Sequence, residues 1–187
     1  MRLNDISLLG WIHTLLYMLA LIAGTLQIVR TKGTPSHVLR GRIYFLAMMA
    51  ANVMALFLFH AEDVIFRFGQ PPVIGHGFGF IHWLAVMAVV LVLLGRLAAS
   101  RQRQALFAYA HPICMILSYW LLLGGLVNEA FDRVDWVRRA ALAISPRAHD
   151  IAGYKLLYIV YAVMDAVILG LLTVAVIQVR RFRRQMK

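Results

Sequence analysis

The stretch ISLLGWIHTLLYMLALIAGTLQIV, residues 6–29, contains no charged side chain. About 20 mostly apolar residues are enough for a helix to cross the hydrocarbon of a bilayer, so this stretch predicts a transmembrane helix. Since lipid offers no hydrogen-bond partners to the backbone, the stretch must be helical rather than an isolated strand. It is too long for the apolar part of a signal peptide and lacks a small-residue cleavage site, so we expect no cleaved leader.

Four more apolar segments follow, at about 43–60, 77–95, 106–127 and 156–179. Hydrophobic residues make up 62% of the chain and charged residues 14%, whereas roughly a quarter of a soluble domain is charged. The sequence therefore predicts an all-α fold, an integral membrane helical bundle of five transmembrane helices that forms one domain over residues 1–187. In the segment between the last two spans, apolar residues at helical spacing predict a sixth, amphipathic helix at 131–144. It would lie on the outer membrane surface or serve as a solvated connection.

The charged residues are distributed unequally between the two ends of these helices. One side carries twelve cations and no acid: Arg30, Lys32, Arg40, Arg42, Arg96, Arg101, Arg103, Arg180, Arg181, Arg183, Arg184 and Lys187. The other side carries seven cations and seven acids. By the positive-inside rule we expect the N-terminus outside and the C-terminus in the cytoplasm. The net charge of +11 is then a topology signal and a contact with anionic lipid, not a sign of nucleic-acid binding.

Histidines form two layers in the predicted bundle. His13 and His82 lie at similar depths in the outer half, whereas His37 and His111 belong to the cytoplasmic half. Imidazoles that face each other across a bundle suit axial ligation of haem iron. We therefore predict the pairs His13–His82 and His37–His111. The alternative is that each is an interfacial or hydrogen-bonded residue, like Trp11, Trp83 and Trp120 near the ends of their predicted helices.

An outward-facing zinc or copper site is the competing metal chemistry. Its candidate ligands are His13, His60, His82, Glu62, Asp63, Glu129, His149 and Asp150, and His111 is the metal-ligand candidate of the other half. No H-E-x-x-H or H-x-x-x-H pair presets two histidines on one helix face. No serine stands in a nucleophile elbow either, so no complete catalytic motif is present.

Two more polar residues lie near the middle of the predicted membrane, Asn52 and Asp165. A polar group at that depth must be paired, neutralised or turned toward water. Asp165 is therefore either a proton relay or a hydrogen-bonding link between helices, with Asn52, Tyr161 or a histidine as candidate partners.

The loop KGTPSHVLRGRIY, residues 32–44, resembles the H-R-x-x-G-R-x-Y motif of a bacterial family of predicted inner-membrane proteins that is catalogued only as a domain of unknown function. The matching positions are His13, His37, Gly41, Arg42, Tyr44, His111, Met115, Ser118, Tyr119, Asn128 and Glu129. Val38 stands where the family usually has a basic residue, and Arg40 restores a cation two positions on. The resemblance implies a small helical bundle in the bacterial inner membrane. Its histidine placement is similar to that of four-helix dihaem cytochromes b.

The leading hypothesis is a b-type cytochrome-like protein of the inner membrane that moves electrons through haem b, to or from a quinone. His13, His82 and His111 are the preferred ligands, followed by His37 in the loop, and Arg40 and Arg42 are candidate partners of the haem propionates. The second hypothesis is a non-catalytic accessory or assembly subunit of a larger membrane complex. The third is the outward-facing metal-binding protein.

Overall fold

In a computed structural model, the described residues are 8–30, 32–57, 80–101, 105–146 and 154–185. They form six helices and no strand: α1 (Leu8–Val29), α2 (Pro35–Ala55), α3 (Phe80–Ser100), α4 (Ala105–Arg133), α5 (Asp135–Ile144) and α6 (Lys155–Gln185). All of these except α5 are long and apolar enough to span a membrane. The all-α class with five apolar helices of spanning length is thus confirmed.

The chain divides into two compact units, Met1–Val89 and Val90–Lys187, and α3 crosses the boundary between them. In the first unit α1 and α2 pack as an antiparallel hairpin, because His13 contacts Ala51 near the end of α2 while Gln27 contacts His37 near its start. The buried face of α1 consists of Ala20, Ala23 and Gly24. Such small residues let two helix backbones approach closely.

The basic stretch 32–44 differs from the sequence prediction, because most of it is helical and not a loop. Gly33 adopts a φ of +79°, a conformation that costs a residue with a Cβ strain. Thr34 then acts as the N-cap, its Oγ1 accepts from the backbone N–H of His37, and Pro35 starts the helix. Consequently α2 begins at Pro35, not near residue 43, and His37, Arg40 and Arg42 lie on a helix instead of in a loop. Because the first turns of α2 contain polar residues, hydropathy alone does not predict them as part of the helix.

In the second unit α4 and α6 are antiparallel, since Trp120 and Gly124 of α4 contact Asp165 and Tyr161 of α6 in reverse order. Pro112 lies inside α4, which continues through it. The predicted amphipathic helix at 131–144 is divided by a break at Val134, so that residues 131–133 belong to α4 and α5 is Asp135–Ile144.

The apolar face of α5 packs within the second unit. A buried cluster joins the end of α4 to α5 and the start of α6, and it consists of Phe131, Ala141, Tyr154 and Leu157. Ser145 Oγ accepts a 3.0 Å hydrogen bond from the backbone N–H of Lys155, which ties the end of α5 to the start of α6. The helix is therefore amphipathic as predicted. Ala141 and Val137 on its apolar side pack against the neighbouring helices, whereas Ile144 is half-exposed.

Candidate functional site

His13 is held by a backbone carbonyl of the neighbouring helix. Its Nδ1 lies 3.0 Å from the carbonyl oxygen of Ala51, and the side chain is partly buried between α1 and α2. A carbonyl oxygen only accepts hydrogen bonds, so the ring must carry its proton on Nδ1. In the neutral imidazole the lone pair is then on Nε2. A histidine that binds a metal through Nε2 and donates its Nδ1–H to a carbonyl has this same tautomer.

A short polar chain lies beside His13. The rings of His13 and Tyr17 meet edge to face, with centroids 4.6 Å apart and an interplanar angle of 85°. The Tyr17 hydroxyl donates to Asn52 Oδ1 at 2.8 Å, and Asn52 Nδ2 donates to the carbonyl of Met48 at 2.8 Å. The polar residue predicted at membrane depth in α2 thus has Tyr17 as its partner. Sequence reasoning overlooked Tyr17, although it lies one helical turn after His13.

His111 repeats the arrangement of His13 in the second unit. Its Nδ1 lies 2.8 Å from the carbonyl oxygen of Gly95 in α3, so this ring also carries its proton on Nδ1 and the lone pair on Nε2. A Cβ on Gly95 would lie 2.8 Å from Met115 Sδ and 3.3 Å from Cys114 Cβ. The missing side chain of Gly95 therefore lets α3 and α4 approach at the level of His111.

His82 lies near the start of α3 and is buried, with 3% of its surface exposed. Burial of a histidine in a helix of spanning length agrees with either predicted role, ligand or hydrogen-bonded structural residue. The pairs His13–His82 and His37–His111 stay predictions.

His37, Arg40 and Arg42 lie at the opposite end of the α1–α2 hairpin from His13. The side-chain Nε2 of Gln27 donates to the carbonyl of His37 at 2.9 Å, and it occupies the space left by the missing side chain of Gly41. The two arginines differ: Arg42 is exposed, whereas Arg40 is half-buried and its Nε is fully buried. Gln27 was not among the candidates from the sequence, because a single amide side chain at the end of an apolar segment matches no motif.

Asp165 is hydrogen-bonded to Trp120 of the neighbouring helix α4. The indole Nε1 of Trp120 donates to Asp165 Oδ1 at 2.8 Å, and the carboxyl group is exposed on α6. Trp120 lies mid-way along α4, not near its end as the sequence suggested. One turn away, the hydroxyl of Tyr161 donates to the carbonyl of Gly124 at 3.1 Å. Asp165 therefore acts as a hydrogen-bonding link between α4 and α6.

Tyr119 and Glu129, which the family resemblance indicated, both lie on α4. Tyr119 is buried and Glu129 is exposed. His60, Glu62, Asp63, His149 and Asp150 lie outside the described residues, so most of the predicted zinc or copper site does too. Within the described part of the chain, no three side chains of His, Cys, Asp or Glu are grouped to hold a metal ion.

The arrangement defines a multi-pass helical protein with two helix-borne imidazoles whose Nδ1–H groups are fixed by backbone carbonyls. Comparisons with protein-family models, with curated proteins and with solved structures give no match to this chain.

Proposed function

We propose that the chain is a b-type cytochrome-like protein of the bacterial inner membrane that carries electrons through haem b, with a quinone as the candidate redox partner. The observation that supports this proposal is the shared hydrogen bonding of His13 and His111. Each ring donates Nδ1–H to a carbonyl of a neighbouring helix, at 3.0 Å and 2.8 Å.

This hydrogen bond matters because it selects both the tautomer and the ring orientation. A histidine that binds a metal through one nitrogen usually donates its other N–H to a carbonyl or carboxylate, which also raises the basicity of the ligating nitrogen. Ligands carried on helices are held more precisely than ligands carried on loops. When bound, haem supplies a one-electron iron couple whose potential follows the axial ligands and the polarity around them.

The described side chains near His13 would position its ring. Tyr17 packs its edge against the imidazole, and Asn52 holds the Tyr17 hydroxyl from α2. His82 is the predicted second ligand at this level, and the burial of its side chain would exclude water. Arg40 and Arg42 remain propionate candidates only for a haem at His37, because both lie near the start of α2.

The proposal includes an orientation, with the N-terminus outside and the C-terminus in the cytoplasm. Its support is the bias of twelve cations and no acid on one side of the predicted spans.

A reduced-minus-oxidised absorbance spectrum of the purified protein tests the haem proposal. We expect α and Soret bands of a six-coordinate b-type haem, and we expect His13→Ala and His111→Ala each to lower haem content per protein. Thr14→Val is the matched control on α1, because Thr14 is exposed and its hydroxyl bonds only the carbonyl of Gly10 in its own helix. Absence of haem bands from protein purified under conditions that preserve membrane haems would contradict the proposal.

One observation favours the second candidate function, an accessory subunit of a larger membrane complex. Asp165 is exposed on α6 in a helix of spanning length, with apolar side chains such as Val163 and Val167 exposed around it. A carboxyl group that faces lipid is costly, and a covering partner subunit would remove this cost. We expect Asp165→Leu to reduce copurification of a stoichiometric partner from native membranes. A stable, active, isolated monomer would count against this candidate.

A further inference from the structure

Three side chains with metal-binding atoms follow one another closely on α4. They are His111, Cys114 and Met115, and they supply an imidazole nitrogen, a thiol and a thioether. Residues three and four positions apart are neighbours on the surface of a helix, and α4 is helical throughout this stretch. The three side chains therefore share one face of α4.

This face meets a single residue of α3, Gly95. The Nδ1 atom of His111 lies 2.8 Å from the carbonyl oxygen of Gly95. A Cβ on Gly95 would lie 2.8 Å from Met115 Sδ and 3.3 Å from Cys114 Cβ. All three side chains thus converge beside one backbone position. Each of them is half-buried, so part of each side chain is accessible to an ion.

The contact with Gly95 prepares His111 as a metal ligand. Because a carbonyl oxygen only accepts hydrogen bonds, Nδ1 carries the proton and Nε2 keeps the lone pair. A hydrogen bond of this kind fixes the ring of a ligating histidine and raises the basicity of its other nitrogen. The missing side chain of Gly95 also leaves room for Met115 Sδ near the imidazole.

The donor atoms narrow the metal to Cu(I). Thiolate and thioether sulfur are soft ligands that Cu(I) prefers, whereas zinc sites in proteins use thiolate, imidazole and carboxylate. Charge favours the same ion. One thiolate neutralises Cu(I), but it would leave a positive charge on Zn²⁺ within a helix of spanning length, where an unbalanced charge is costly. On binding, the Cu–S bond replaces the S–H bond, and the proton is released to solvent.

We propose that His111 Nε2, Cys114 Sγ and Met115 Sδ bind one Cu(I) ion. This inference does not rest on haem binding, and it leaves the haem proposal at His13 unchanged. At His111 itself the two groups exclude each other, because each would take Nε2. Haem binding uses neither of the two sulfur atoms, so variants at Cys114 and Met115 separate the two proposals.

The first test is competition for Cu(I) between the protein and bathocuproine disulfonate, a chelator whose Cu(I) complex is coloured. It uses full-length protein from haem-limited cells under anaerobic, reducing conditions, and we expect one Cu(I) per chain. Loss of an outer-shell partner of a metal ligand already costs about 10–100-fold in affinity. Cys114→Ala and Met115→Leu should therefore each weaken Cu(I) binding by at least about tenfold.

Met87→Leu is the matched control, because Met87 is exposed on α3 and lies outside the cluster. Equal Cu(I) affinities of Met115→Leu and Met87→Leu would overturn the proposal. Haem content is measured on the same variants from cells with ample haem. We expect it to stay at the wild-type level in Cys114→Ala and Met115→Leu, so that a failure of the copper site and a failure of the haem proposal are distinguishable.

The unmodified protein supplies a measurement that does not depend on folding of a variant. Cys114 is the only cysteine of the chain, so alkylation by N-ethylmaleimide reports on one thiol. We expect Cu(I) to slow this alkylation and Zn²⁺ to slow it much less. X-ray absorption at the copper edge should find both sulfur and nitrogen neighbours. Unchanged alkylation in the presence of Cu(I), or copper bound without sulfur, would refute the site.

Discussion

At the scale of single residues, His13 and His111 are oriented by carbonyl groups of small residues. The acceptors belong to Ala51 and Gly95, which lie where two helices approach closely. A small side chain leaves its own carbonyl oxygen within reach of a neighbouring helix. Both histidines were candidates from the sequence, but these partners were not, because neither alanine nor glycine carries a polar side chain that a sequence pattern reveals.

The first prediction concerns the hydrogen bond from Tyr17 to Asn52. Asn52→Leu removes the Oδ1 that accepts from the Tyr17 hydroxyl, and we expect a loss of about 0.6 kcal/mol in the free energy of unfolding, the average for such bonds between membrane helices, and at most about 1.7 kcal/mol. Tyr17→Phe alone should cost a similar or smaller amount. The double variant should lose less than the sum of the two, because both partners of one bond are then removed together.

Chemical unfolding in detergent micelles, followed by helix content, measures these differences. Thr14→Val is the control on α1, since Thr14 is exposed and bonds the carbonyl of Gly10 in its own helix. Strict additivity of the Tyr17 and Asn52 losses would show that the bond contributes no coupling.

At the scale of elements, the start of α2 shows how two kinds of signal compete in one stretch. Hydropathy places the helix near residue 43 because Ser36, His37, Arg40 and Arg42 are polar. Capping chemistry places it at Pro35, because threonine is a good N-cap and proline is favoured at the first helical position. The structure follows the capping signal. The start of α2 is fixed by the hydrogen bond of its N-cap, which hydropathy does not measure.

The second prediction tests that cap. Thr34→Ala removes the Oγ1 that accepts from the backbone N–H of His37, and we expect a loss of about 1 kcal/mol in the free energy of unfolding. Thr34→Ser keeps the acceptor and should stay near the wild-type value. Amide hydrogen exchange provides a local readout, and faster exchange at His37 in Thr34→Ala than in Thr34→Ser is the expected result. Equal exchange in both variants would contradict the capping role.

The third prediction compares two glycines in the second unit. Gly95→Ala places a Cβ 2.8 Å from Met115 Sδ and 3.3 Å from Cys114 Cβ, so the Met115 side chain must turn away and Cys114 must shift slightly. Overpacking of this kind costs about 1–3 kcal/mol. Gly125→Ala meets open space in α4 and should be neutral or stabilising by up to about 1 kcal/mol.

Thermal unfolding in one detergent measures both glycine variants side by side. A second readout follows from the proposed function, since Gly95→Ala should displace the carbonyl that holds His111 and lower haem content, whereas Gly125→Ala should not. Similar melting temperatures for the two variants would show that α3 and α4 are not closely packed at Gly95.

At the scale of the whole molecule, the five apolar helices of spanning length followed from the sequence because length and hydropathy alone determine them. The contacts between those helices could not be predicted from the sequence. The pairing of Trp120 with Asp165 and the packing of Val137 against the Phe131 cluster depend on which helix faces meet. A single sequence does not show directly which helix faces meet, and for the same reason the histidine pairs remain predictions.

The orientation is the last prediction, and it belongs to the chain as a whole. Twelve cations without an acid on one side should hold that side in the cytoplasm, which would place α5 outside. Single cysteines, introduced after Cys114→Ala removes the only native one, report this directly. We expect Ala140→Cys, exposed on α5, to react with a membrane-impermeant maleimide in intact cells. Phe182→Cys, exposed on α6 beyond the predicted span, should react only after the membrane is opened. The reverse pattern would refute the orientation.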